Sequence, residues 1–250
     1  MKEIINEIGI ITRFAGRFFV ELFKPRFEFK EFLRQCYYIG NKSLALVGVT
    51  SFIMGLVITI QSRPTLVEFG AESWLPKMVS VSLVREIAPV ITALICAGKI
   101  GSGIGAELGS MKVTEQIDAM DVSGTNPYKF LVVTRVMATT LMVPVLAILA
   151  DGISLYGGYL GANIRGVVSW DLFWNQVFET LVYGDVLPSI LKTFFFGYAI
   201  GIIGCYEGYH SNKGTEGVGR SANSAVVISS LLVFIIDLVA VQITDILNLN

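Results

Sequence analysis

Between Ser43 and Gln61 the chain reads SLALVGVTSFIMGLVITIQ, without one charged side chain. About 20 apolar residues in a row cross the hydrocarbon core of a bilayer as a helix, and a backbone in lipid has to satisfy its own hydrogen bonds. That stretch commits the chain to a membrane-spanning helical architecture. Four more stretches are long and apolar enough to repeat it: Val79 to Leu108, Phe130 to Ala162, Val186 to Tyr206 and Ser221 to Thr244. Charged residues make up only 16% of the chain, where soluble domains carry about a quarter. The expected fold is an all-α integral membrane protein with five transmembrane helices.

The first forty residues follow a different pattern. Ile4, Ile8, Ile11, Ala15, Phe18 and Leu22 recur at helical spacing, with Arg13, Arg17, Glu21 and Lys24 on another face. This is an amphipathic helix ended by Pro25. A second apolar stripe starts at Phe29, Phe32, Leu33 and Cys36. Basic residues opposite an aromatic-rich stripe suit helices lying in the bilayer interface, although a helix packed on a soluble partner has the same pattern. Residues 1–40 are read as N-terminal amphipathic interfacial helices and 41–250 as the five-span domain. The opening MKEIINEIG is interrupted by acidic residues and does not read as a signal peptide.

Lys and Arg in short loops set orientation. They concentrate in the N-terminal segment (Lys2, Arg13, Arg17, Lys24, Arg26, Lys30, Arg34, Lys42), after the second span (Lys112, Lys129, Arg135) and after the fourth (Lys213, Arg220). The opposite side has Arg63, Lys77 and Arg165. The N-terminus is therefore expected in the cytoplasm and the C-terminus outside.

The stretch GSMKVTEQIDAMDVSGTNP, Gly109 to Pro127, then falls on the cytoplasmic side. Val113, Ile117 and Met120 form a narrow apolar stripe, with Glu115, Asp118 and Asp121 flanking it. Thr114 is placed to cap the helix and Glu115 to meet its positive end, while Gly124 and Pro127 stop it. A helix over 113–121 is too short to stand alone in water. It either caps its own bundle or plugs a groove on a cytoplasmic partner.

Several chemistries are excluded. Gly98-Lys99 lacks the rest of a phosphate-binding loop, since position 93 is Ala and position 100 is Ile. Any ATP used must be hydrolysed by another subunit, and no cofactor or metal is expected in this chain. Cys36, Cys96 and Cys205 lie far apart and suggest neither a disulfide framework nor a metal site. The only histidine, His210, has no nucleophile or metal-ligand pattern around it. A net charge of −1 argues against a nucleic-acid partner.

Ionisable residues within spans are costly, which makes them candidates for function. Arg85 and Glu86 start the second span and Lys192 starts the fourth, at one depth if the helices are neighbours. Two cations and a carboxylate suit a zwitterionic or anionic head group; mutual ion pairing or snorkelling gives the same pattern. Lys99, Asp151 and Asp237 sit deeper and are expected to pair with one another. An ion-coupled secondary transporter would use those three as its relay, although five spans do not readily give an inverted repeat. Gly101, Gly105 and Gly109 continue a row of small residues from Ala97, and Gly197 and Gly201 form another; such rows let helices approach closely in lipid.

Two long motifs carry a resemblance. LVREIAPVITALICAGKIGSGIGAELGSMKVTEQIDAM (Leu83 to Met120) and GTEGVGRSANSAVV (Gly214 to Val227) resemble the signatures of the MlaE/YrbE permease family. KPRF from Lys24 and Gln61 at the end of the first span match as well. The resemblance implies a homodimeric permease in the bacterial inner membrane that serves an ABC-type phospholipid transporter. Its implied partners are a cytoplasmic ATPase, a periplasmic MCE-domain protein forming a hydrophobic tunnel, and a small accessory cytoplasmic subunit. The implied role is maintenance of outer-membrane lipid asymmetry. By position, the resemblance assigns lipid binding to Arg85, Glu86, Lys192, Ile58, Leu66 and Phe69. It assigns ATPase coupling to Val113, Glu115, Gln116, Ile117, Asp118 and Met120. Asn223 departs from the Thr common in the family. A non-transporting scaffold for the MCE protein would leave both groups without a role.

Overall fold

The computed structural model describes residues 2–25, 27–164, 168–212 and 214–247, with side chains from residue 6 onward. Arg26, Arg165 and Lys213, and the side chains of Lys2 and Ile4, lie outside the described residues. Among the described residues every regular element is helical. Helix α1 spans Lys2–Leu22 and α2 spans Phe29–Glu68. A short 3-10 turn, Glu72–Trp74, leads into α3 (Leu75–Ser82), α4 (Ala88–Cys96) and α5 (Ser102–Val113). These three are joined end to end through π-helical segments at Leu83–Ile87 and Ala97–Gly101. Helix α6 is Gln116–Val122, and a third π-helical segment, Tyr128–Val133, feeds α7 (Thr134–Asn163). Then come α8 (Trp170–Thr180), α9 (Tyr183–Tyr209) and α10 (Thr215–Ile246).

Five stretches are long and apolar enough to cross a membrane: Phe29–Glu68, Glu72–Val113, Tyr128–Asn163, Tyr183–Tyr209 and Thr215–Ile246. This is the all-α integral membrane fold that the apolar runs predict. Two differences matter. Helix α2 is continuous from Phe29, so the boundary drawn at residue 40 falls inside the first spanning helix, whose one internal proline, Pro64, lies near the other end. Helix α8 was not anticipated. Ser169 caps it, its hydroxyl accepting from the Leu172 N–H at 3.2 Å.

The chain forms two compact units, and every boundary between them falls inside a helix. One contains Met1–Lys42, Cys96–Met142 and Phe195–Val233. In it, a Cβ on Gly105 would lie 3.2 Å from the Ser221 carbonyl, and one on Gly109 3.3 Å from the Ser211 hydroxyl. Gly101 faces Ile200, Ser229 and Ala225 at ordinary contact distance. Helix α1 is fastened here through buried Phe14 and Phe18. Phe14 meets the Tyr128 ring edge-on at 5.0 Å, and the Tyr128 hydroxyl donates to the Phe14 carbonyl. Ile8, Phe19 and Val20 remain exposed on α1, as does Phe23 just past its end.

The other unit contains Ser43–Ile95, Val143–Phe194 and Phe234–Asn250. Its core is Leu75, Val79, Leu83, Val84, Leu155, Ala162, Phe173 and Val177. α2 and α7 approach backbone to backbone there: a Cβ on Gly55 would come within 2.8 Å of the Ser154 carbonyl carbon.

Candidate functional site

Two features gather the charged residues, one in each unit. The first is a cleft lined by Arg85, Glu86, Gly184, Asp185, Pro188, Ser189, Lys192, Ala240, Val241 and Thr244. Arg85 and Glu86 belong to the π-helical turn Leu83–Ile87. Neighbours in sequence point to different faces of a regular helix, yet here both line one cleft. π-turns shift hydrogen bonding to i→i+5 and often mark functional positions. Ser189 donates to the Val84 carbonyl at 2.7 Å, tying α9 to that turn.

Lys192 is 4% exposed and donates to Glu86 Oε2 at 2.7 Å and Asp237 Oδ1 at 2.8 Å. Arg85 Nη1 stands 3.6 Å from Asp185 Oδ1. A lone ammonium would be prohibitive at such burial, and two carboxylates offset that cost. The sequence brought Arg85, Glu86 and Lys192 to one depth, and the structure brings them together. It adds Asp185 and Asp237, which spacing alone could not supply. Asp185 lies in the first turn of α9 and accepts from the Val182 N–H.

The expected mutual pairing of Lys99, Asp151 and Asp237 is not found. Asp237 is taken by Lys192, and Lys99 donates to the Lys42 carbonyl. Asp151 Oδ1 is buried with no hydrogen-bond partner. Two of the three are taken by groups on other helices, a choice that depth along the sequence does not reveal. Ile58 and Leu66 lean against the core of their unit, while Phe69 is 79% exposed beyond the end of α2. None of the three is among the residues lining the cleft. The cleft itself has room for little more than a water molecule.

The second feature is α6. It starts at Gln116, not at Val113 as the spacing suggested. Thr114 ends α5 instead of capping α6, its hydroxyl donating to the Ser110 carbonyl at 2.8 Å. Glu115 takes the left-handed conformation, φ 60°, between the two helices. At the far end Gly124 has φ 79°, with Gly124 N–H bonded to the Asp121 carbonyl and Thr125 N–H to that of Met120. That is a Schellman stop, which needs the residue best suited to positive φ. Ile117 is fully buried in its own chain, and Val113 and Met120 are half-buried. Of the two readings of the apolar stripe, seating on its own bundle accounts for Ile117. Glu115, Gln116, Asp118 and Asp121 are exposed, and Val122 is 90% exposed. Lys112 holds Asp118 at 2.8 Å.

The connection after α6 is clamped to α1. Asn126 donates to Glu21 at 3.0 Å, and the buried Lys129 ammonium donates to the carbonyls of Lys24 and Pro25 at 2.6 and 2.7 Å. The Lys24 hydrogen bond holds the Glu21 carboxyl below its ordinary range, helped by the Arg17 charge. In the same unit Arg135 pairs with Glu107 at 2.9 Å and with the Leu131 carbonyl. Among the described residues no three His, Cys, Asp or Glu side chains gather as a metal ligand set would.

Comparison with known proteins places these features in a family context. Residues 32–243 match the family model described as Permease MlaE. A Rickettsia typhi protein named "Probable ABC transporter permease protein" is 39% identical over 230 residues, 92% of this chain and 89% of its own length. A Synechocystis protein of the same description is 37% identical over 221 residues, 88% of this chain and 84% of its own. The Haemophilus influenzae "Intermembrane phospholipid transport system permease protein MlaE" is 32% identical over 243 residues, 95% of this chain and 93% of its own.

Proposed function

The chain belongs to the MlaE permease family and is a multi-pass inner-membrane ABC transporter permease, and from that premise we propose that it moves phospholipid. In this reading a cytoplasmic ATPase drives the movement and a periplasmic MCE-domain protein receives or delivers the lipid. Outer-membrane lipid asymmetry is the outcome, and a small accessory cytoplasmic subunit completes the assembly. The phospholipid assignment draws on the name of the Haemophilus influenzae relative. The N-terminus and α6 face the cytoplasm, the C-terminus the periplasm.

The observation that carries the reading is the construction of α6. It is seated by Ile117, stopped by Gly124, and presents carboxylates with one large exposed aliphatic residue, Val122. A short helix held rigidly at its root and polar outside transmits movement from a second protein. The partner's groove is accordingly basic, with a small apolar pocket for Val122. A lipid does not fit the cleft of one chain, so a second copy or an opened state must enlarge it. The apolar faces that α2 and α10 leave exposed suit lipid or that second copy. Bound lipid shifts the open–closed balance only by differing affinity for the two states.

The test is co-purification of the ATPase with the permease carrying Glu115→Arg and Asp121→Arg, alongside a count of bound phospholipids. Loss of the ATPase with retention of lipid supports the reading. Unchanged ATPase would remove the role of α6, and absence of lipid from the native complex would remove the substrate.

A further inference from the structure

The paired state of the cleft determines which head groups it accepts. Lys192, the deeper cation, is nearly inaccessible and already holds two carboxylates, Glu86 and Asp237. Two of its three N–H donors are spent there, and its burial leaves little for an anion. Arg85 is different: its side chain is 30% exposed, and its one ionic partner, Asp185, is at 3.6 Å, beyond ordinary hydrogen-bond length. Most of its five donors remain available. Glu86 is 38% exposed and spends only Oε2 on Lys192. Its other oxygen, Oε1, is left as an acceptor on a residue that lines the cleft.

The group as a whole is rich in acid. Arg85 and Lys192 are set against Glu86, Asp185 and Asp237. Uncompensated negative charge within a membrane span is costly and is relieved by a cation. An ammonium on the ligand would supply such a cation.

We infer that the cleft discriminates among phospholipids by head-group charge, taking one that carries an ammonium next to its phosphate. Glu86 Oε1 accepts from the ammonium and the Arg85 guanidinium donates to the phosphate. An anionic glycerol head group satisfies Arg85 and leaves Glu86 facing its uncompensated charge. Asp185 restrains Arg85 and keeps the site from becoming an anion trap. The inference rests on the phospholipid reading of the preceding subsection and adds the head-group class.

The test uses the full transporter complex reconstituted into nanodiscs of equal parts phosphatidylethanolamine and phosphatidylglycerol, extracted mildly, with bound lipids counted by mass spectrometry. The expected native result is enrichment of the ethanolamine lipid by about two- to fivefold, the range for a partly exposed charge pair. Glu86→Gln should bring the ratio back to that of the bilayer. Asp185→Asn frees Arg85 and should shift the ratio toward the anionic lipid, which gives a second reading if Glu86→Gln disturbs folding. Bound lipid at the bilayer ratio, or enriched in phosphatidylglycerol, in the native complex overturns the inference and leaves the permease reading standing. Absence of bound lipid altogether overturns both.

Discussion

Helices α6 and α8 each bury one narrow stripe, Ile117 in the first and Phe173 with Val177 in the second, all nearly inaccessible. Their outer faces diverge. Helix α8 presents Trp170, Leu172 and Phe178, the last 71% exposed. Helix α6 presents Glu115, Gln116, Asp118 and Asp121 around Val122. An aromatic face finds its partner in the head-group layer of a bilayer without help from another protein. A carboxylate face is stable in water and acquires a role only when a complementary surface arrives. On the proposed function, the same device, a short helix rooted by one or two apolar side chains, would serve as a membrane anchor in one case and a docking element in the other.

The comparison breaks most severely at the roots. Phe173→Ala should cost about 3–5 kcal/mol and Ile117→Ala about 2–5 kcal/mol, read as lower thermal unfolding temperatures of the solubilised protein. No loss for Ile117→Ala would mean that α6 is not seated as described. Next come the outer faces. Glu115→Arg with Asp121→Arg should leave stability within about 0.5 kcal/mol while reducing ATPase co-purification about tenfold or more. Asp171→Arg on α8 should leave the ATPase bound. If both reversals release it equally, the contrast between the helices is lost. A milder effect is expected from spin labels. A label at Leu172→Cys should be reached by lipid-soluble relaxants and one at Val122→Cys by water-soluble ones.

The smallest effect concerns the clamp between α1 and the end of α6. The Glu21 pKa lies below its unfolded value, chiefly through the Lys24 hydrogen bond. Its contribution is complete above the unfolded carboxylate value, about 4.3, and is lost as pH falls through the lower, folded value. The thermal unfolding temperature of the solubilised native protein should fall as pH drops through that folded value. Glu21→Gln should abolish that pH dependence.

Much of this was legible in the chain, because a span is written locally. Apolar runs announced all five, and Gly124 announced the end of α6. The junction before α6 was misread because Thr114 has the right chemistry for either side of it, and only the positive φ of Glu115 decides between them. The π-turn beneath Arg85 and Glu86 has no compositional signature. Asp237 could not be assigned to Lys192 from spacing, since tertiary proximity chooses among equally deep charges. Helix α8 did leave a signal: Ser169 at the cap, then Trp170, Phe173, Trp174, Val177 and Phe178 at helical spacing. Its brevity, set beside five long spans, hid it.

The most direct test of the account is disulfide or bifunctional cross-linking from Val122→Cys, in a background with Cys36, Cys96 and Cys205 replaced, within native membranes. The account predicts a cross-link to the ATPase subunit that is absent from Phe178→Cys. A Val122→Cys position that never reaches a nucleotide hydrolase, or that is modified from the periplasm by a membrane-impermeant reagent, would contradict it.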